Sequence, residues 1–249
     1  MDWDPSDAWD RMGDWLRSVP ELIGCTPRAV LVISAHWEAP AFTVNAREHH
    51  ELLFDYYGFP QHTYQLQWPA RGDAALARRV ADLLAKAGLP VARETERGLD
   101  HGVFVPFKLI DPDASVPVVQ LSLRAGLDPA THLAAGRALA PLRDEGVLIV
   151  GSGMSFHNMS RFRRDNATLD ADSVAFDRWL VDTMALPHDV REASLAAWAS
   201  APSARASHPK EEHLLPLHVV AGAAGDDVGR QVLADRVLGS AQSAFAFGA

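Results

Sequence analysis

Two histidines follow predicted buried strands, near the points where those strands end. His36 comes shortly after the apolar run Val30–Ile33, in the stretch "SAHWE". His157 follows a second apolar run, Val147–Val150, and a Gly-Ser-Gly turn that lets the backbone approach a neighbour closely. Because the carboxyl ends of parallel strands share one edge of a sheet, we expect both imidazoles in one crevice. There they could bind a transition metal or transfer protons.

Two more histidines stand in stretches of similar character. His101 lies between Asp100 and a glycine in "RGLDHGVFVP", where it is either a site residue or a core histidine bonded to Asp100. His213 lies in "HPKEEHLLPLHVV", at the last predicted helix. Adjacent helical residues point about 100° apart, so only one of Glu212 and His213 should face a given metal. The leucines that follow His213 favour an inward direction for it, whereas the glutamates would also suit a solvated first turn.

Aromatic residues surround these histidines in the sequence. Trp37 follows His36 directly, and the segment "DYYGFP" carries Tyr57 and Phe59. The segment is interpreted either as ordinary loop packing or as an aromatic wall for a flat ligand.

The elements that would position these residues alternate between strand and helix. Such alternation is typical of an α/β fold with a central, largely parallel or mixed sheet and helices on both faces. We predict one domain over residues 1–249, because no linker or repeat interrupts the pattern. The predicted strands are Val30–Ile33, Val116–Leu121 and Val147–Val150, and the predicted helices are Ala74–Ala87, Asp128–Arg143, about 171–184, about 190–199 and Pro209–Ala221. Pro216 should kink or interrupt the last of these helices.

The composition of the 249 residues excludes several classes of protein. Hydrophobic residues make up 48%, which is typical of a globular protein, and the net charge of −9 gives no support for a nucleic-acid or anionic-membrane partner. No apolar run is long enough to span a membrane, and the acidic start does not resemble a signal peptide. A single cysteine cannot form an intrachain disulfide, so we expect a cytoplasmic location.

Six motifs together resemble one known family over nearly the whole chain. In order, "ISAHWE", "YYGFP", "LDHGVFVP", "PVVQLSL", "GSGMSFHN" and "EEHLLPL" are similar to motifs of the class III extradiol ring-cleavage dioxygenases. The most similar branch is that of the 4,5-DOPA dioxygenase-like proteins, which are related to the catalytic subunit of protocatechuate 4,5-dioxygenase.

This resemblance implies a non-haem metal site that opens a catechol ring with O2. It implies that His36 and His213 are metal ligands, with Fe(II) as the expected metal and Zn(II) as the alternative. It implies that His157 is the acid/base and that His101 lies near substrate and oxygen. The expected substrate contacts around them are Trp37, Tyr57 and Phe59.

The start of the chain departs from the family pattern. The family begins with a strand that leads to a His-Gly turn and supplies another metal ligand, and Met1 stands where the residues after that turn are expected. We therefore expect residues 1–249 to lack this strand and ligand, which would leave a gap in the sheet. Two other interpretations remain, a zinc hydrolase and a partner subunit without chemistry. The sequence leaves open whether the chain forms a homo-oligomer.

Overall fold

A five-stranded mixed sheet forms the centre of the computed structural model, which describes residues 6–162 and 169–248. The strand order is β3-β2-β4-β1-β5. The strand β1 pairs in parallel with β4 and β5, β2 pairs in parallel with β3, and β2 meets β4 antiparallel. The strands are β1 Ala29–Ala39, β2 Phe42–Asn45, β3 Val91–Glu94, β4 Val118–Arg124, β5 Val147–Ser152, and the separate antiparallel hairpin β6 Arg230–Val237 and β7 Ser240–Ala246.

Helices cover both faces of the sheet, which confirms the predicted α/β class. Successive residues of β1 point to opposite faces because strand side chains alternate. Leu31 and Ile33 pack in one apolar cluster with residues of α2, α4 and α9, whereas Val30 and Val32 pack in another with residues of α3. The helices are α1 Asp10–Ile23, α2 Ala74–Lys86, α3 His101–Ile110, α4 Pro129–Leu139, α5 Pro141–Asp144, α6 Ala171–Met184, α7 His188–Ala196, α8 Ala204–Ser207 and α9 Leu215–Ala223.

Prolines correct two of the predicted helices. The helix predicted over Asp128–Arg143 is divided into α4 and α5, with Pro141 in the first turn of α5. The helix predicted over Pro209–Ala221 begins only at Leu215, with Pro216 in its first turn. Proline has no N–H to donate within a helix, and it disfavours helical backbone in the residue before it, so it is best accommodated at a helix start.

The edge strand β5 borders a large cleft. Leu148, Ile149 and Val150 are apolar and only half-buried, and they line that cleft. Among the described residues no strand pairs with the outer edge of β5. The gap in the sheet that the family pattern led us to expect stays a prediction. None of the helices described here is long and apolar enough to cross a membrane.

Candidate active site

His36 lies within β1 and not after it, because β1 runs six residues beyond the predicted end at Ile33. The pairing of β1 with β5 nevertheless ends at Ser34, and its register with β4 shifts between Ile33 and Glu38. His36 therefore lies in the irregular part of the strand, past its last pair with β5. This is the edge of the sheet at which the strand-end pattern placed a site.

The four histidines singled out from the sequence lie together at this edge. The ring centroids of His36 and His101 are 3.9 Å apart, and those of His36 and His213 are 4.9 Å apart. The rings of His157 and His213 are stacked, with centroids 3.4 Å apart and planes 17° apart. Residues from β1, from the start of α3, and from the loops after β5 and before α9 thus form one cluster.

Asp55 fixes the orientation of His101. One carboxylate oxygen of Asp55 accepts from the backbone N–H of His101 at 3.0 Å and lies 2.7 Å from Nδ1 of its ring. Because an ionised carboxylate only accepts hydrogen bonds, Nδ1 is the nitrogen that donates to Asp55, and Nε2 makes no part of this contact. Burial of Asp55 acts to raise its pKa, but the hydrogen bonds from His101 outweigh this and hold the pKa below its usual value. Sequence patterns assigned no role to Asp55, although it is the first residue of the segment "DYYGFP".

A second carboxylate, Glu212, lies beside His157 and His213. Oε1 of Glu212 is 3.6 Å from Nδ1 of His157. Its Oε2 and Nδ1 of His213 are both buried and have no hydrogen-bond partner among the described residues. The angle of about 100° between adjacent helical residues predicted that only one of Glu212 and His213 would face a metal. Both contribute to the cluster because residues 209–214 precede α9 and are not helical.

Two glycines allow the end of β5 and the loop after it to approach the backbone around His213. A Cβ on Gly151 would lie 2.7 Å from the carbonyl oxygen of Pro216, and one on Gly153 would collide with the carbonyl oxygen of His213. The "GSG" turn therefore has a packing reason, since larger residues at these positions would push His213 away from His157.

Burial favours the neutral form of three imidazoles of the cluster, those of His36, His157 and His213. Desolvation lowers the pKa of His157 to about 4, with the nearby His36 as the smaller cause. Desolvation is also the largest cause of the lowered pKa values of His36 and His213, to which the neighbouring histidines add. A neutral imidazole has a lone pair available for a metal or a proton.

The cleft that contains this cluster has a volume of about 2410 Å³ and extends along β5 to α1. Phe59 lines it, and so does Tyr56, whose ring centroid is 5.6 Å from that of His101. Trp37 and Tyr57 are not among the described residues that line it. Trp37 is buried beneath the guanidinium of Arg97, and Tyr57 is 93% exposed. Tyr56 and Phe59 therefore form the aromatic wall of the cleft. Substrate contact by Trp37 or Tyr57 stays a prediction, which this arrangement does not support.

Outside the cluster, His132 makes the stability of the fold sensitive to acid. Burial lowers its pKa to about 4 from an ordinary value of 6.5. The unfolded chain therefore binds more protons between pH 6.5 and 4, and the free energy of unfolding falls as the pH falls through this range. We expect His132 to contribute a slope of up to about 1.4 kcal/mol per pH unit. Urea unfolding of the metal-free chain between pH 4 and 7.5 measures this slope.

His132→Gln provides the control for this prediction. In the native chain Nδ1 of His132 lies 2.8 Å from the carbonyl oxygen of Asp128, and Nε2 accepts from the backbone N–H of Arg124. A glutamine amide also offers one donor and one acceptor but does not titrate. In this variant the slope should fall by up to about 1.4 kcal/mol per pH unit, which corresponds to one proton. An unchanged slope would show that other groups cause the acid sensitivity.

Comparison with known proteins identifies relatives that are named dioxygenases. The family described as "Catalytic LigB subunit of aromatic ring-opening dioxygenase" matches residues 5–246. A 4,5-DOPA dioxygenase extradiol of Beta vulgaris is 43% identical over 202 residues, which cover 81% of this chain and 75% of the relative. The dioxygenase tasH of Hapsidospora irregularis is 40% identical, covering 86% of this chain and 69% of the relative.

Similarity extends to bacterial relatives and to a solved structure. A 4,5-DOPA dioxygenase extradiol of Escherichia coli K12 is 35% identical, covering 87% of this chain and 77% of the relative. The crystal structure of an uncharacterized protein from Escherichia coli K12 superposes with a TM-score of 0.79 at 30% identity, covering 93% of this chain and 89% of that one. The chain therefore belongs to the LigB family of aromatic ring-opening dioxygenases, in the extradiol branch of the 4,5-DOPA dioxygenase-like proteins.

Proposed function

We propose that the chain opens a catechol-type ring with O2 by extradiol cleavage, at a metal held by His36 and His213. The observation that carries this proposal is the convergence of four imidazoles at one end of an aromatic-lined cleft. Extradiol cleavage breaks the ring bond between one hydroxyl-bearing carbon and the adjacent carbon that carries no hydroxyl. Both atoms of O2 enter the product.

The donor set suits a divalent transition metal. Two groups each offer ligand atoms that lie within 4.8 Å of one another, His36 with Asp55 and His101, and His157 with Glu212 and His213. Some buried ligand atoms, such as Nδ1 of His213, have no hydrogen-bond partner among the described residues, and an ion beside them would explain this. We propose Fe(II) because imidazole and carboxylate ligands together favour non-haem iron in oxygenases, with Zn(II) as the alternative. When bound, such an ion supplies Lewis acidity and a meeting point for substrate and O2.

The chain's own residues would move the protons and orient the ring. His157 would accept a proton from a catechol hydroxyl at a ring nitrogen and later return it, because its lowered pKa leaves it unprotonated at pH 7. His101 would be held in one orientation by Asp55, with its ring beside that of His36. The rings of Tyr56 and Phe59 would pack against the flat face of the catechol and exclude water.

Oxygen consumption is the direct test of this function. The chain, loaded with Fe(II) without air, should consume one O2 per catechol and produce a strongly absorbing ring-opened product. Because several relatives are named 4,5-DOPA dioxygenases, DOPA and unsubstituted catechol are the two substrates to compare. Metal content without O2 uptake for either substrate would contradict the proposal.

The alternative of a zinc hydrolase is not favoured, since the relatives described above are named dioxygenases. Hydrolysis of ester or amide substrates by the zinc-loaded chain, without O2 uptake in the iron-loaded chain, would reverse this order. A cytoplasmic, reducing compartment is proposed from the single exposed Cys25 and would suit retention of Fe(II).

A further inference from the structure

Asp100 is a buried carboxylate that directly precedes His101 in the chain and contacts the residues that hold His36. Its exposed fraction is 0%. Its side chain accepts from Oγ of Ser34 at 2.7 Å and from the amide of Gln120, and it forms an ion pair with Arg97. Burial of a carboxylate costs free energy unless it is paired and hydrogen-bonded, and replacing such a charge by apolar packing is often neutral or stabilising. Stability alone therefore gives no strong reason for a charge at this position.

Asp100 also differs from the other aspartates that precede helices. Asp73, Asp128 and Asp170 each cap a helix by accepting a hydrogen bond from the backbone N–H three residues later. Asp100 stands in the same position before α3, but its side chain makes no such bond. Capping typically contributes about 1 kcal/mol, so this carboxylate forgoes the usual stabilisation in favour of its contacts with other elements.

Those contacts hold the backbone of His36 on both sides. Oγ of Ser34, which donates to Asp100, accepts from the N–H of His36 at 3.2 Å. Arg97, which pairs with Asp100, donates to the carbonyl oxygen of His36 at 3.2 Å. On the other side Asp100 is covalently joined to His101, the first residue of α3. One carboxylate thus connects the supports of two imidazoles of the cluster.

The close packing of α3 on β1 depends on a glycine next to this network. A Cβ on Gly102 would lie 2.7 Å from Oγ of Ser34, 2.9 Å from Cδ2 of His36 and 3.2 Å from Oδ1 of Asp100. The absence of a side chain at Gly102 lets the start of α3 pack directly on β1, which brings the carboxylate of Asp100 next to Ser34 and His36.

We propose that Asp100 is a positioning residue that orients His36 through Ser34 and Arg97 and places a buried carboxylate beside the supports of the metal-binding imidazoles. This inference rests on the proposed function for its metal, but the positioning of His36 can be tested without any metal. A cation held at the cluster would be stabilised by this charge because few water molecules screen it there.

Asp100→Asn is the variant that tests the charge. Asparagine keeps the size and the acceptor for Ser34, but it turns a donor towards Arg97 and Gln120. We expect the Zn(II) affinity, measured by competition with a chromogenic chelator, to fall by about 10- to 100-fold, as for other groups that support metal ligands. In the iron-loaded chain kcat for catechol should fall while KM changes little. An unchanged Zn(II) affinity would overturn the proposal.

A charge relocation separates the proposed role from a general structural one. In the double variant Asp100→Asn with Gln120→Glu, the carboxylate moves to the neighbouring side chain and can pair with the new amide and with Arg97. Most of the lost Zn(II) affinity should return. Asp73→Asn is the matched control, because it also neutralises an aspartate that precedes a helix and pairs with an arginine, Arg28. It should lower the urea midpoint without changing Zn(II) affinity. Equal losses of affinity in Asp73→Asn, or no recovery in the double variant, would contradict the role.

The metal-free chain provides an independent measurement. Nitrogen-15 NMR of the histidine rings should show the His36 resonances shifted or broadened in Asp100→Asn and restored in the double variant, whereas those of His132 should stay in place. If Asp100→Asn does not fold, Ser34→Ala removes one of the two links to His36, leaves that through Arg97, and should give a smaller shift of the same resonances. Unchanged His36 signals would overturn the positioning role. Failure of the wild-type chain to bind metal would contradict the proposed function but would leave this result standing.

Discussion

His213→Gln should release the metal. His213 is buried, its Nδ1 has no hydrogen-bond partner among the described residues, and its ring lies between those of His36 and His157. Loss of a group that only supports a metal ligand typically weakens binding 10- to 100-fold, so loss of a direct ligand should weaken it by at least about 100-fold. O2 uptake with catechol should fall in proportion to metal content. Metal per chain after anaerobic Fe(II) loading and gel filtration is the measurement.

His218→Gln is the matched control for this variant. His218 is also a fully buried histidine, it lies five residues further along the chain, and its ring nitrogens face the carbonyl oxygens of Leu195 and Leu214. Both substitutions should lower the urea midpoint, but only the change at His213 should lower metal content. Full metal occupancy in His213→Gln would remove it from the ligand set and would direct attention to Glu212 and His157 as the ligands of that side.

Much of the fold could be predicted because the apolar runs are strong signals. Val30–Ile33 and Val147–Val150 are buried or half-buried strands whose alternate residues face two helical layers. The hairpin of β6 and β7 was missed because residues 230–246 carry few long apolar runs, and its strands are only partly buried. The helix α3 was also missed, since a proline and two β-branched valines within ten residues weaken the helical pattern.

The candidate site was predictable in its histidines but not in its carboxylates. His36 and His157 follow from strand-end placement, and His101 and His213 from motifs. Asp55 had no local signal, and helix geometry left Glu212 as an alternative to His213, because an acidic residue in a loop or before a helix is usually solvated. Only the tertiary packing shows that Asp55 fixes His101 and that Oε2 of Glu212 is buried. The same holds for Asp100, whose missing helix cap is visible only when its side-chain contacts are known.

His157→Gln should keep the metal and lose turnover. We expect kcat for catechol to fall by about 10²- to 10⁴-fold, the usual effect of removing a general acid or base. The physical reason is that a glutamine amide can hydrogen-bond to a catechol hydroxyl but cannot accept its proton near pH 7. The stacked neighbour His213 should retain its position, because Gly153 packs against its backbone and not against its ring. Single-turnover O2 consumption at saturating catechol, with metal content measured on the same sample, separates the two effects.

The comparison between His157→Gln and His213→Gln shows which of the two stacked rings binds the metal and which transfers protons. If His157 is the acid/base, its variant binds Fe(II) as wild type does and fails in turnover, whereas the His213 variant fails in both. If both variants lose metal to the same degree, His157 is a ligand, and the group formed by His157, Glu212 and His213 is the metal site. A proton acceptor would then have to come from elsewhere, and His101, whose Nδ1 is held by Asp55, is the other histidine beside His36 that could serve. His101→Gln should in that case show the turnover loss expected here for His157→Gln, with its metal content unchanged.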